Sequence, residues 1–300
     1  MKKLLSILFV LILTIGLTAC NSSKQDETVE VPETITILGQ EFKVEGKVAE
    51  ILEKGKLVIS TAPPYPPMEF VDELSGEILG CEMELAAYIA DALGVELVVE
   101  SMDFEGTLIT LDTDKVDLSI SGFGYKPDRA EHYELSDGYW ATISEDHHTI
   151  VVRTEDLDKY NSLEDFNVEG LVMAAQTSSV QQMYVEDELP NVTIEFFSDF
   201  SKGILDLTTG KVDAIALDST TAKNYADTSD GAFVSLYDEK GIEFDLSPYA
   251  GTTGNVMAAK KGETTLIEIC NVIVKEAMES GQYRQWYLEA CELSGIEPEE

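Results

Sequence analysis

Arg129 has the clearest chemistry to offer, because of what precedes it. The apolar run Val116–Ile120 reads as a short strand that drops into a turn at Ser121-Gly122, and Pro127 then sets Arg129 in the first turn of a new helix. In open α/β sheets, ligands lie beyond the carboxyl ends of strands, where backbone amides and small hydroxyls point outward. A guanidinium fixed there matches a carboxylate with two parallel hydrogen bonds. If it is buried it needs such an acid, from the protein or from a ligand. Glu131 and Glu134 are the protein's own candidates, so a structural ion pair and a carboxylate-binding site both stand at this point.

Other chemistry is sparse. No Cys/His spacing suits a metal, and His147-His148 lacks partners at ligand spacing and reads as a solvated loop. No nucleophile is paired with a base, and no cofactor is expected. With 20 Lys plus Arg against 57 Asp plus Glu, the net charge of −37 makes nucleic acid a poor partner, because phosphate binding needs clustered cations. The N-terminus bears on compartment. Lys2 and Lys3 precede an apolar run, Leu4–Thr18, that is too short and too early to span a membrane. The run ends in Leu17-Thr18-Ala19-Cys20, which resembles the lipobox of bacterial lipoproteins. That resemblance implies a signal peptide over 1–20 and a lipidated Cys20, whose several acyl chains would anchor the protein stably on the extracytoplasmic face of the cell membrane. Asn21–Glu33 is polar and acidic and reads as a tether. Of the remaining cysteines, Cys81, Cys270 and Cys291, an odd count leaves at least one free thiol. Cys270 and Cys291 share a helical region and could pair.

The elements that must position Arg129 follow from periodicity. Thr34–Val48 alternates weakly, as a hairpin would. Leu57–Ile59 is a strand, residues 62–67 form a stiff proline loop, and Cys81–Leu93 repeats apolar residues at helical spacing up to Gly94. Val95–Glu100 is a strand and Phe104–Asp112 a helix, before the strand that leads to Arg129. The pattern then recurs: strands at Ile150–Val152, Leu171–Ala175, Val192–Phe196 and Val212–Leu217 alternate with helices at Ser162–Phe166, Val180–Leu189 and Lys202–Thr209. Asn255–Ala259 is a last strand before helices over Thr264–Ser280 and Tyr283–Leu293. Lys115-Val116-Asp117 returns as Lys211-Val212-Asp213, each before an apolar strand. Two similar α/β units, each a mostly parallel sheet flanked by helices, predict two lobes.

Together these residues resemble the extracellular solute-binding proteins of family 3, the amino-acid receptors of ABC importers, over roughly Ile51–Leu288. The family's YPPF-E-F is met by Tyr65-Pro66-Pro67-Met68-Glu69-Phe70, its G-F-D-V-D-L-A by Gly80–Ala86, and its K-V-D-x-x-x-S-G-x-x-x-T-P-E-R by Lys115–Arg129. Leu135–Trp140 stands for F-S-D-P-Y-Y, and Lys211–Asp218 for the late K-V-D-A-x-x-x-D. The resemblance implies a two-lobed, type II periplasmic-binding-protein-like fold joined by two hinge strands. Lobe 1 would comprise 51–143 and 251–300, lobe 2 would comprise 144–250, and 21–50 would be tether and extension.

It further implies that Arg129 clamps a ligand α-carboxylate, assisted by Ser121, by the backbone of Gly122 and Gly124, and by Ser179 at a helix start. Asp218 would accept from the α-ammonium, while Tyr65 and Phe104 would wall the ligand side chain. The implied protein is a monomeric, lipid-anchored receptor that captures a polar amino acid, hands it to a membrane permease, and is not an enzyme. Each residue also has a plainer reading: Asp218 and Ser179 as helix caps, Tyr65 and Phe104 as core aromatics. Two other functions stand beside import. One is a cyclohexadienyl-type dehydratase, for which Glu69 or Glu105 would be the nearest acid; the other is a solute-sensing surface lipoprotein. The chain departs from the family at Gly124 (usually Ser or Thr), Ser178-Ser179 (usually Gly-Thr), Ala62 (an acid in some cationic amino-acid receptors) and Cys81 (usually Phe). Ala141–His148 also reads as longer than the family's first hinge.

Overall fold

The computed structural model describes residues 31–139, 147–249 and 254–298. The expected signal peptide, Cys20, nearly all of the tether, Trp140 and most of the first hinge lie outside the described residues. Residues 31–300 group as one compact unit. A hairpin of β1 (Thr34–Ile37) and β2 (Gln40–Lys43) leads into α1 (Gly46–Lys54), so the weak alternation ends earlier than its sequence suggested. There follow β3 (Lys56–Thr61), a two-stranded ribbon of β4 (Phe70–Val71) and β5 (Ile78–Leu79), α2 (Cys81–Leu93), β6 (Glu96–Ser101), α3 (Phe104–Asp112), β7 (Leu118–Gly124), α4 (Pro127–His132) and β8 (Tyr133–Leu135). The second half holds β9 (His148–Arg153), β10 (Val172–Gln176), α5 (Val180–Glu188), β11 (Thr193–Phe197), α6 (Phe200–Thr208), β12 (Ala214–Asp218), α7 (Ser219–Thr228), β13 (Phe233–Ser235) and α8 (Leu236–Lys240). The described chain closes with β14 (Asn255–Lys260), α9 (Thr264–Glu279) and α10 (Gln282–Ser294).

Two five-stranded sheets carry these elements, ordered β6-β3-β7-β14-β8 and β11-β10-β12-β9-β13. In each, the first three strands pair in parallel and the last two pairings are antiparallel, so only the fourth strand runs against the others. The first sheet with its helices is called lobe 1 below, the second lobe 2. Because β14 completes the first sheet after the whole second sheet has been made, lobe 1 is discontinuous in sequence. Both sheets are covered on both faces, which is why their strands read as unbroken apolar runs. In lobe 2, Ile150, Val152, Ala214 and Ala216 face one core with Phe166 and Phe244, while Val151, Ile215 and Leu217 face the other with Phe197 and Leu207.

One expectation needs correction. The turn expected at Ser121-Gly122 is part of β7, which runs on to Gly124. The parallel partner β3 is left behind, but β14 pairs with Phe123 and Gly124 from the other side and keeps the strand extended. His148, expected in a solvated loop, is instead the buried first residue of β9, paired with Asp218 across the sheet.

The repeated Lys-Val-Asp has one structural cause in both lobes. The Asp117 carboxylate accepts from Val58 N–H at 2.8 Å, and the Asp213 carboxylate accepts from Val172 N–H at 2.9 Å. In each case the aspartate's own N–H donates to the carbonyl of that same valine. The aspartate therefore locks β7 onto β3 in lobe 1 and β12 onto β10 in lobe 2, and fixes their register. Asp117 also pairs with Lys54 at 2.6 Å, and its side chain is 3% exposed against 40% for Asp213. Asp117→Ala should therefore cost about 2–3 kcal/mol of unfolding free energy, and Asp213→Ala about 1 kcal/mol. Urea denaturation of the two variants checks the order; equal losses would contradict the burial argument.

Candidate functional site

The carboxyl ends of β3, β7, β10 and β12 face one another across the gap between the lobes and enclose a cavity of about 50 Å³. Each residue expected at the site lines it, apart from Arg129. Tyr65 from lobe 1 lies nearly parallel to Phe200 from lobe 2, at 14° with ring centroids 6.2 Å apart. The Tyr65 ring occupies the space that a Cβ on Gly122 would fill, and Gly122 has a φ of +55°, so the position favours glycine on two counts. Phe104, at the start of α3, leans on Phe123 with centroids 5.0 Å apart.

Lobe 2 contributes two helix N-termini. Ser179 caps α5: its hydroxyl accepts from Gln182 N–H at 3.1 Å and donates to the Gln176 carbonyl at 2.7 Å. Asp218 caps α7, accepting from Thr221 N–H at 2.8 Å. Both capping readings thus coexist with a place on the cavity wall. Val180 and Gln181, in the first turn of α5, also line the cavity. Amides of a first helical turn have no partner within the helix and favour an anion.

Arg129 stands behind the cavity wall. Its guanidinium donates to the Gly124 carbonyl of lobe 1 and to the Ser178 carbonyl of lobe 2, the latter at 2.8 Å, and lies 5.0 Å from the centre of the Phe123 ring. Among the described residues, no carboxylate forms an ion pair with it, so the pairing with Glu131 or Glu134 does not occur. Burial draws it down to about 10, with Asp128 partly opposing the shift, so it keeps its charge at neutral pH. A buried cation bonded only to neutral carbonyls, and bridging two lobes, is the electrostatic feature of the site.

The donors expected from lobe 1 have partners within that lobe. Ser121 Oγ donates to Glu69 Oε1 at 2.6 Å and accepts from Ala62 N–H at 3.1 Å. Gly122 N–H donates to Glu82 Oε2 at 2.7 Å. In the sequence, Glu69 stands out only as an acid for the dehydratase alternative, and Glu82, His148, Gln181 and Phe200 carry no expected ligand role. The one available signal was Phe200, placed behind the N-cap Asp199 at the head of an apolar helix.

Two family departures meet at the lobe contact. A Cβ on Gly124 would stand 2.8 Å from Val180 Cγ1, so the serine or threonine usual here would push the lobes apart. Ser178, where glycine is usual, holds a φ of +65°. Cys81, Cys270 and Cys291 are buried and form no disulfide with one another, so Cys270 and Cys291 are not joined. Among the described residues, no His, Cys, Asp or Glu group of three or more is placed to hold a metal, and no helix is long and apolar enough to cross a membrane.

Two similar lobes, each presenting strand ends and helix N-termini to a small shared cavity, define a binding protein that traps a small solute between them. The chain belongs to the bacterial extracellular solute-binding proteins of family 3, whose model matches residues 57–289; its place of work is extracytoplasmic. It is 26% identical over 295 residues to the arginine-binding extracellular protein ArtP of Bacillus subtilis (strain 168), spanning 96% of this chain and 98% of that one. It is 23% identical to the L-cystine-binding protein TcyJ of Escherichia coli (strain K12) over 80% of this chain and 84% of that protein. Among solved structures, an amino acid ABC transporter substrate-binding protein of Streptococcus pneumoniae bound to L-arginine matches with a TM-score of 0.72 and 27% identity, over 83% of this chain and 100% of that chain. The ancestral amino acid-binding protein AncCDT-1, a precursor of cyclohexadienyl dehydratase, matches at 0.68 and 26%, over 81% and 99%. The family and the curated relatives are binding proteins rather than enzymes.

Gly124→Ser should weaken ligand binding about tenfold, equivalent to about 1.4 kcal/mol, and Val180→Ala should restore most of that loss in the double variant. Titration calorimetry on the four proteins checks it. Simple additivity of the two substitutions would rule out the lobe contact as the cause.

Proposed function

We propose that this protein is the receptor of an ABC importer and that it captures a polar, cationic amino acid, arginine foremost, between its lobes. The observation that carries the reading is the buried Arg129: a cation tied to both lobes, beside a cavity, with no carboxylate among the described residues paired to it. A ligand α-carboxylate supplies that balance when the guanidinium turns from one of its carbonyls toward the cavity. The first-turn amides of α5 and the Gly124 backbone face the same anion. Asp218 takes the α-ammonium. A ligand guanidinium is planar and stacks against Tyr65 and Phe200, whose rings come from opposite lobes, so that binding favours closure. Relatives that bind arginine support the choice among amino acids.

The proposal includes a lipid anchor at Cys20, delivery to a membrane permease and action as a monomer. It assigns no enzymatic step. A dehydratase would need an acid aimed at the ligand. Glu69 lines the cavity, but its contacts are to Ser121 and Glu82, both within lobe 1.

A thermal-shift screen of the chain from about residue 26 onward against the common amino acids tests the reading. A ligand at a hundredfold excess over its Kd stabilises the native state by about 2.7 kcal/mol, and arginine should give the largest shift. Arg129→Ala should lower affinity about 30-fold or more, the loss expected when one partner of a buried charged pair is removed. Phe200→Ala should weaken arginine more than an uncharged amino acid, because it removes half of the stacking pair. Near-normal affinity in Arg129→Ala would overturn the carboxylate assignment.

A further inference from the structure

Two carboxyl groups lie fully buried beneath the cavity, and the function described above does not use them as a pair. Glu82, in the first turn of α2, receives three hydrogen bonds: Gly122 N–H at 2.7 Å, Tyr139 O–H at 2.7 Å and Asn255 Nδ2 at 3.2 Å. The start of a helix also favours negative charge. Glu69 lines the cavity, and its Oε1 takes the Ser121 hydroxyl, while its Oε2 is buried without a hydrogen-bond donor. The two carboxyl groups contact each other. Two ionised carboxylates in contact and out of water repel each other strongly. A single proton removes that conflict. Glu82, with three donors, is the better-held carboxylate, and Glu69, met by the Ser121 hydroxyl and approached by the Ala62 amide, is the acid of the pair. Burial, and then the charge of Glu82, hold Glu69 well above the usual carboxylate range.

We propose that Glu69 and Glu82 hold one proton between them in the ligand-free protein and that a cationic amino acid entering the cavity expels it, so that binding is proton-linked and Glu69 reads ligand charge. This rests on the proposed function, which places a cation in the cavity that Glu69 lines. A unit charge about 6 Å away, at an effective dielectric of about 20, lowers a carboxyl pKa by about two units. The sign follows. The empty site holds the proton at low pH, the cation favours its loss, and so affinity rises with pH until the empty pair has itself lost the proton. Below that point the gain is up to about tenfold per pH unit. Other titratable groups face the pair: Cys81 on α2, Tyr139 and Tyr65 in lobe 1, Tyr283 on α10, and His148 and Asp218 across the cavity. Of these, His148 is the one whose ordinary titration range overlaps the test.

Titration of arginine into the protein, by calorimetry in buffers of different ionisation enthalpy, counts the protons released. Glu69→Gln copies the neutral acid, since its amide oxygen still accepts from Ser121 and its NH₂ donates to Glu82. Wild type should release a proton on binding arginine, Glu69→Gln should release none and lose the rise in affinity with pH, and His148→Gln, whatever its affinity, should still release one. Release that survives in Glu69→Gln, or that vanishes in His148→Gln, overturns the proposal while leaving arginine binding intact. Infrared spectroscopy of the ligand-free protein reads the proton without any ligand: a buried carboxylic-acid carbonyl band should be present in wild type at neutral pH and absent from Glu69→Gln. Absence of that band in wild type overturns the shared proton whatever binds. If the band is present but no cationic amino acid binds, the function reading fails and the linkage fails with it.

Discussion

The site depends on a buried positive charge that no carboxylate among the described residues pairs with. Arg129 is 4% exposed, and its bonds go to the carbonyls of Gly124 and Ser178, one in each lobe. Carbonyl dipoles and the faces of Phe104 and Phe123 offset part of the desolvation of a guanidinium, but they do not supply an opposite charge. Such an arrangement is stable only when the surroundings hold it in place, and here both lobes must be present for both bonds to form. The Ser178 bond can form only where the two lobes meet.

The acids explain how this charge is kept available. Lobe 1 contains Glu69 and Glu82 within the same layer, and either could have formed an ion pair with a flexible arginine. Instead Glu82 is satisfied by Gly122, Tyr139 and Asn255, and Glu69 faces Glu82 and Ser121. These bonds run within lobe 1 and anchor the Tyr65–Phe70 segment, the head of α2 and the strands β7 and β14 to one another. The lobe is thereby rigid where the ligand must find a fixed wall. Its small-residue donors, Ser121 Oγ and Gly122 N–H, serve the wall itself.

Much of this was legible from local pattern. The helix over Cys81–Leu93 with its Gly94 cap, the alternation of strands and helices, and the recurrence of Lys-Val-Asp are properties of short windows, and the structure places them as expected. What could not be read depends on partners distant in sequence. β7 runs through Ser121-Gly122 to Gly124 because β14, more than a hundred residues later, pairs with it there. His148 is buried because β9 sits between β12 and β13, although two adjacent histidines in a polar stretch carry no apolar signal. Glu69 looks solvated in sequence because its position at a loop-to-strand junction says nothing about Glu82 or Ser121. The partners of Ser121 and Gly122 within lobe 1 are hidden for the same reason: a donor can be recognised in a sequence, but its acceptor cannot.

Ser178 shows how the departures from the family pattern cohere. Its φ of +65° is the conformation for which glycine is the usual choice, and an L-residue there costs about 1–2 kcal/mol. Two bonds hold it in place: its N–H donates to Gln182 Oε1 at 2.8 Å, and its carbonyl accepts from Arg129 at 2.8 Å. The first belongs to lobe 2 alone and is retained when the lobes part, while the second exists only when they meet. Gly124 acts in the same direction from the other lobe, because the missing side chain lets Val180 approach and brings the Ser178 carbonyl within reach of the guanidinium. The strain at Ser178 is thus partly relieved by closure, and the two unusual residues act on one contact. A serine at 178 facing a bulkier residue at 124 would keep the strain and lose the bond that offsets it.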